Sequence, residues 1–284
     1  MSADASPLLE LARVSKTFRN AAGASVTAVR NVSLTLRRGE TLALVGESGS
    51  GKSTLGRIAL GLIKPDAGDV LLEGRSLASL SNRAFREART AMQPIFQDAT
   101  ASLNPRRTVR QLMGQALRRH GPAIDAKAAA LLDSVGLRPG LEYLDRLPHE
   151  LSGGQRQRLA IARALAIEPA LIIADEPLSG ADVSIRGQVL NVLLDIKAAR
   201  GIAYLMITHD LSIARAFADR VAVMLRGEIV ESGPVDDVLG DPRHDYTRRL
   251  LAAVPRLDAA AQPLATGDVR RSAGAGMAPD RSVG

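Results

Sequence analysis

The residues with the clearest chemical purpose form a nine-residue stretch that follows the apolar run 42–45. In it, two glycines flank a four-residue spacer, and a lysine and two hydroxyl residues follow the second glycine. Its members are Gly46, Glu47, Ser48, Gly49, Ser50, Gly51, Lys52, Ser53 and Thr54. Glycines let backbone N–H groups curve round a polyphosphate without Cβ clashes, and the N-terminus of the helix expected next attracts anions. Strand, glycine-rich loop and helix in this order predict a nucleotide site, with Lys52 reaching the β- and γ-phosphates and Ser53 ligating Mg²⁺.

Two carboxylates end a second apolar run, 171–174. In open α/β sheets the ligand crevice lies at the carboxyl ends of the strands, so Asp175 is expected beside the phosphate loop. A carboxylate there can hold Mg²⁺, directly or through water. The next side chain, Glu176, points in another direction and can polarise an attacking water. Together with the phosphate loop, this pair predicts nucleotide hydrolysis.

A second anion-binding segment precedes the helix expected over 154–167. Ser152 is a favourable N-cap, and Gly153 and Gly154, followed by Gln155, expose backbone N–H groups at the positive end of that helix.

Composition excludes several other classes of protein. The 284 residues include no cysteine, which excludes disulfides, thiolate zinc sites and Cys-ligated iron–sulfur clusters. The net charge of +7 is spread along the chain without a block of like charges, so we expect a basic surface suited to nucleotides and no nucleic-acid partner. No apolar run approaches the ~18 residues of a membrane span, and residues 1–10 lack the pattern of a signal peptide, so a cytoplasmic location is expected.

The periodicity of apolar residues predicts an α/β fold. Strands within 8–45 form an antiparallel layer that leads into the phosphate loop, and from 154 to 225 helices and strands alternate, which favours a mostly parallel sheet. A helical block between these parts is expected to be an inserted subdomain, at about 98–168. Helical segments are predicted near 234–239 and 245–254, and residues 257–284 are expected to be disordered because they show no period.

The combined motifs resemble those of one family. Leu151-Ser152-Gly153-Gly154-Gln155 lies about twenty residues before the aliphatic-Asp-Glu-Pro strand end, and both follow a phosphate loop. Over roughly residues 8–255 the chain is similar to the nucleotide-binding subunit of ATP-binding cassette (ABC) transporters. The resemblance implies a P-loop NTPase fold with a RecA-like core, and a nucleotide-binding domain over 1–256 that binds ATP and Mg²⁺.

In that family two such domains pair head to tail. The resemblance therefore implies that Ser152, Gly153, Gly154 and Gln155 bind the γ-phosphate of a nucleotide held by another copy. It also gives roles to single residues elsewhere. Gln97 would contact Mg²⁺ or the attacking water, His209 would contact the γ-phosphate, and Asp182 would lie at the dimer seam. Phe18, which taken alone fits plain packing as well as stacking, would stack on the adenine.

Three further stretches resemble the branch that imports dipeptides, oligopeptides, nickel chelates, glutathione or opines. They are 96–106, 148–150 and 244–255, the last read as part of a C-terminal extension over about 233–256. The chain resembles the second ATPase of importers that use two different ATPases. The alternative for 244–255 is an ordinary amphipathic helix. Gly180-Ala181 departs from common family residues, which leaves cooperativity between the two nucleotide sites open. Ala99 stands where a proline is common, which leaves the stiffness of the coupling loop open.

The implied function is to energise an importer from the cytoplasmic face of the inner membrane. The partners would be transmembrane permease subunits, a second ATPase subunit and, indirectly, an extracytoplasmic solute-binding protein. The alternative is a soluble ABC ATPase of a cytoplasmic complex, such as one that cleaves phosphonates.

Overall fold

Two β-sheets carry the fold in a computed structural model, which describes residues 6–19, 23–96, 103–117, 123–178 and 183–253. The strands in chain order are β1 (Leu9–Arg19), β2 (Ser25–Leu36), β3 (Thr41–Val45), β4 (Ala67–Leu72), β5 (Arg75–Ser76), β6 (Met92–Ile95), β7 (Leu171–Asp175), β8 (Ala203–Thr208), β9 (Arg220–Leu225) and β10 (Glu228–Pro234). The helices are α1 (Lys52–Ala59), α2 (Asn82–Ala91), α3 (Val109–Leu117), α4 (Ile124–Ser134), α5 (Gly140–Tyr143), α6 (Gly153–Leu165), α7 (Val183–Arg200), α8 (Leu211–Phe217), α9 (Val235–Gly240) and α10 (Asp245–Ala252).

The two sheets differ in strand direction. One has the order β2-β1-β4-β5 and is antiparallel. The other has the order β10-β9-β3-β8-β7-β6, and all its pairs are parallel except the edge pair β10–β9. The expected antiparallel layer followed by a mostly parallel sheet is confirmed.

Strand β3 is buried along its whole length and lies between two apolar layers. Leu42 and Leu44 pack into the cluster formed with the antiparallel sheet and α1, whereas Ala43 and Val45 pack into the cluster beneath α8. A strand buried on both faces reads as an unbroken apolar run, which is why 42–45 shows no alternation. Helices α3 to α6 share a third cluster with β7 and β8.

Several predicted bounds differ at their ends. Helix α6 stops at Leu165 rather than 167, because Glu168 adopts a left-handed φ of 53° and precedes Pro169, which disfavours helix. Strand β10 continues to Pro234 through its pairing with β9, and helix α9 therefore begins at Val235 rather than at 234. None of the helices in the described ranges is long and apolar enough to cross a membrane.

The tail 257–284, expected to be disordered, lies wholly outside the described residues. The predicted helix over 245–254 is described to Ala252, and Val254 lies outside the described residues.

The back of the phosphate loop is packed tightly against two backbone segments. A Cβ on Gly46 would lie 2.2 Å from the Met224 carbonyl oxygen, and one on Gly51 would lie 2.1 Å from the carbonyl oxygen of Ala28 in β2. The Gly227 N–H also donates to the Ser50 carbonyl at 2.9 Å. The loop is thus held from behind by β2 and by the turn between β9 and β10, and only glycine allows the first two contacts.

Gly51→Ala is expected to destabilise the fold by roughly 3 kcal/mol, since the methyl group meets the backbone of β2 and φ is +108°. Urea unfolding of the purified protein measures this loss. Gly74→Ala is the matched control: its φ is +75° but no atom lies within 4 Å of the added Cβ, so only the conformational cost of about 1 kcal/mol applies. Equal losses in the two variants would contradict the packing argument.

Candidate nucleotide site

The parallel register places three functional segments at one edge of the sheet. Val45, the last residue of β3, pairs with Thr208 of β8, and Asp175, the last residue of β7, pairs with Ile207. The phosphate loop follows Val45 and His209 follows Thr208. The loop, the Asp175–Glu176 pair and His209 therefore emerge side by side.

Lys52 is buried and turned into the phosphate loop. Its Nζ donates to the carbonyl oxygens of Gly46 at 2.8 Å and Glu47 at 2.7 Å. Burial lowers the pKa of Lys52, and the negative charges of Glu176, Asp175 and Glu47 oppose that shift. A partly desolvated ammonium interacts more strongly with phosphate oxygens than a hydrated lysine does.

Ser53 and Asp175 bring two oxygen atoms together that could serve as ligands of a metal ion. The Ser53 hydroxyl donates to Asp175 Oδ1 at 2.9 Å, although the residues are 122 positions apart. Burial raises the pKa of the Asp175 carboxyl, against the Ser53 hydrogen bond and the positive charges of Arg57 and Lys52. Two hard oxygen donors fit Mg²⁺, which binds to one or two protein ligands plus phosphates rather than to a cage of protein ligands. Accordingly, no cluster of three or more acidic, His or Cys ligands occurs in the described part of the chain.

Glu176 and His209 meet beside this donor pair. His209 Nδ1 lies 3.0 Å from Glu176 Oε1. Glu176 has a φ of 48°, uncommon for a residue other than glycine, while its N–H still donates to the Ile207 carbonyl at 2.9 Å. Such a backbone conformation is rare for a residue with a side chain and is often found at functional sites.

His209 is fixed at its position by its neighbour in the chain. Asp210 caps α8, since its Oδ1 accepts the Ser212 N–H at 2.9 Å, and its own N–H donates to the Thr208 hydroxyl at 3.0 Å. The imidazole itself is 60% exposed, so it can contact a group that binds in front of the strand ends.

Phe18 lies on the antiparallel hairpin beside the loop. It pairs with Val26 of β2, two residues from Ala28, whose carbonyl oxygen contacts Gly51. Two strand residues span about 7 Å. The ring is 40% exposed, and the Lys16 ammonium lies 5.6 Å from its centroid. An exposed aromatic face near the phosphate loop is suited to stacking on a base.

The second anion-binding segment is a well-formed helix start. The Ser152 hydroxyl accepts the Gln155 N–H at 3.3 Å, and Gln155 Oε1 accepts the Ser152 N–H at 2.9 Å, which is a reciprocal capping box. Ser152 and Gly153 are exposed. Within the described residues, no hydrogen bond joins this segment to the phosphate loop.

Two predicted site residues, Gln97 and Asp182, lie outside the described residues, as do Ala99 and Gly180-Ala181.

Two contacts of the site were not predicted from the sequence. The Gln157 side chain of α6 donates to the Pro177 carbonyl at 2.7 Å, linking α6 to the segment after Glu176. The Tyr246 hydroxyl of α10 accepts the Glu47 N–H of the phosphate loop at 2.9 Å. Gln157 and Tyr246 are each a single residue within a helical pattern, and nothing in that pattern indicates which residue elsewhere in the chain their side chains contact.

Two family models match this chain. The model described as "ABC transporter" matches residues 29–179, more than half of the chain, and includes the phosphate loop, the Ser152 segment and Glu176. The model described as "Oligopeptide/dipeptide transporter, C-terminal region" matches residues 230–275.

Curated relatives include proteins named "Glutathione import ATP-binding protein GsiA". The one from Salmonella paratyphi A is 52% identical over 237 residues, which cover 82% of this chain and 38% of the relative. The one from Escherichia coli K12 is 53% identical over 234 residues, covering 81% of this chain and 37% of the relative. The chain thus spans about two-fifths of the length of these relatives.

Solved structures that resemble this chain include two ABC proteins. The ATP-binding cassette MJ0796, in a dimeric post-hydrolysis state bound to ADP and Pi, has a TM-score of 0.71 and 29% identity, covering 80% of this chain and 98% of that one. CbiO1 from Clostridium perfringens, part of an ABC transporter complex, has a TM-score of 0.72 and 26% identity, covering 88% and 96%. The chain belongs to the ABC transporter family.

Proposed function

We propose that this chain binds ATP with Mg²⁺ and hydrolyses it to drive the import of a small solute across a membrane. ATP hydrolysis is supported by one observation above all: two pairs of contacting side chains lie beside the phosphate loop that contains Lys52. Ser53 and Asp175 offer oxygen donors for the cation, and Glu176 and His209 lie 3.0 Å apart beside them.

Each residue of the site is proposed to have a separate task. Lys52 and the loop N–H groups would hold the β- and γ-phosphates, and Phe18 would stack on the adenine. Mg²⁺ held by Ser53 and Asp175 would neutralise negative charge on the phosphates. Glu176 would accept a hydrogen bond from the attacking water, and His209 would orient the Glu176 carboxylate and contact the γ-phosphate.

The site is proposed to be completed by a second cassette. Exposed Ser152 and Gly153, with Gly154 and Gln155, would bind the γ-phosphate of a nucleotide in the loop of another subunit, identical or paralogous. The dimeric structure of the ABC cassette MJ0796 supports this arrangement. Gln97 is proposed to contact Mg²⁺ or the attacking water, and Asp182 to lie at the seam between the two cassettes.

The import function is supported by the C-terminal match and by the names of the relatives. The proposed cargo class is a dipeptide, oligopeptide or related small solute such as glutathione, a nickel chelate or an opine. Transmembrane permease subunits would hold the chain at the cytoplasmic face of the inner membrane, and an extracytoplasmic binding protein would deliver the solute.

Lys52 and Glu176 are expected to fail at different steps. Lys52→Ala should weaken ATP binding at least tenfold, because the phosphates lose a buried ammonium. Glu176→Gln should bind ATP but reduce turnover at least a hundredfold, because the amide is not a base. Equilibrium binding of ATP and steady-state release of phosphate separate the two effects.

Matched controls come from exposed residues away from the strand ends. Lys64→Ala and Glu168→Gln repeat the two substitutions, and Glu168 shares the left-handed conformation of Glu176. Both control variants should behave as wild type. Near-normal hydrolysis by Glu176→Gln would refute the task proposed for that carboxylate.

The composite site predicts complementation between two inactive variants. Lys52→Ala inactivates a loop, and Gly153→Asp places a negative charge where a γ-phosphate would lie; the added Cβ has no atom within 4 Å, so the fold should tolerate it. A mixture of the two variants forms pairs in which one intact loop faces one intact Ser152 segment, so ATPase activity should return. If the mixture is as inactive as each variant alone, two copies of this chain do not form a nucleotide site between them.

The membrane partner can be tested by fractionation. The chain, tagged and expressed in its own host, should sediment with membranes and co-purify after detergent extraction with polytopic membrane proteins. Recovery only in a soluble enzyme complex would contradict the importer and favour the cytoplasmic alternative.

A further inference from the structure

Tyr246 connects the C-terminal extension to the phosphate loop. It lies in the first turn of α10, is 4% exposed, and packs in the apolar cluster that contains Ala43 and Val45 of β3. Its hydroxyl accepts the Glu47 N–H at 2.9 Å, although the two residues are 199 positions apart. The ring thus fills the core behind the loop while its polar end holds the loop backbone.

The peptide unit that Tyr246 holds is also the one that Lys52 contacts. The N–H of Glu47 and the carbonyl of Gly46 belong to the same peptide group, and in a trans peptide these two point in opposite directions. Tyr246 holds the N–H, and the Lys52 ammonium donates to the carbonyl at 2.8 Å. The tyrosine and the lysine therefore form hydrogen bonds with opposite edges of the same peptide group.

The start of α10 is itself anchored. The Glu231 carboxylate of β10 accepts the N–H groups of Arg243 at 2.7 Å and His244 at 3.1 Å, and His244 Nδ1 accepts the Tyr246 N–H at 3.1 Å. These contacts fix where the Tyr246 hydroxyl lies. A continuous set of hydrogen bonds runs from β10 to the loop.

We infer that Tyr246 is a positioning residue for nucleotide binding, which acts on Lys52 through the Gly46–Glu47 peptide. Without the hydroxyl this peptide can rotate, and the carbonyl that orients the ammonium moves with it. The inference rests on the proposed ATP site and assigns a task to the C-terminal extension within it.

Tyr246→Phe keeps the ring and removes only the hydroxyl, so it tests the inference directly. Binding of Mg-ATP should weaken about fivefold, the effect of one neutral hydrogen bond, while kcat changes less than twofold. Tyr204→Phe is the matched control, because the Tyr204 hydroxyl is buried with no partner among the described residues. The control variant should bind Mg-ATP as wild type does.

A double-mutant cycle separates positioning from a general structural effect. Because Tyr246 acts through Lys52, adding Tyr246→Phe to Lys52→Ala should cause little further loss of Mg-ATP affinity. Glu231→Gln should weaken binding in the same direction and should be non-additive with Tyr246→Phe. Its thermal unfolding midpoint, compared with that of Tyr246→Phe, reports any loss of fold.

Wild-type affinity in Tyr246→Phe, or full additivity with Lys52→Ala, would overturn the inference and leave the ATP site intact. Unchanged ATP binding in Lys52→Ala alone would instead overturn the proposed function. The two failures are therefore distinguishable.

Discussion

Parallel pairing of β3, β8 and β7 is the constraint on which the site depends. Parallel strands end at the same edge of a sheet, so the residues that follow them are neighbours whatever their separation in sequence. Val45 pairs with Thr208 and Asp175 with Ile207. The Ser53–Asp175 and Glu176–His209 contacts both follow from this register, and a slip of one residue would separate each pair.

Charge within the site is balanced by neighbours rather than by water. Burial disfavours the charged form of both Lys52 and Asp175, and each lowers the cost of ionising the other. Glu176 and Glu47 add further negative charge near the ammonium. The lysine suits the phosphate anions of a ligand and the carboxylates suit a divalent cation that the ligand brings with it. Mg-ATP is a ligand of this kind.

The loop and the Ser152 segment have opposite environments. The loop is enclosed from behind by Ala28, Met224 and Tyr246, and its lysine is buried. The Ser152 segment begins a capped helix whose first residues face outward. The exposure of Ser152 and Gly153 agrees with the proposal that this segment serves another subunit. The Gln157–Pro177 hydrogen bond links α6, the helix that begins at the Ser152 segment, to the residue that follows Glu176. A displacement of α6 would therefore shift the backbone beside Glu176.

Short stretches of sequence were enough to predict the phosphate loop, the Asp175–Glu176 strand end, the capped segment at Ser152 and the alternation that makes the sheet parallel. Each of these is local, since it depends on glycine conformations, N-cap chemistry or the period of apolar residues over a short window. The resemblance of the motifs added His209, which no local pattern marks.

Contacts between residues that are distant in sequence became apparent only from the three-dimensional packing. The Tyr246–Glu47 contact, the Gln157–Pro177 contact and the packing of Ala28 on Gly51 join residues 199, 20 and 23 positions apart. Helix ends such as that of α6 were also set partly by the left-handed turn at Glu168. Such contacts arise when separate helices and strands pack together, and the type of a residue does not reveal which distant residue it will contact. The chemistry of the site could therefore be predicted from the sequence, but the contacts that hold its residues in place could not.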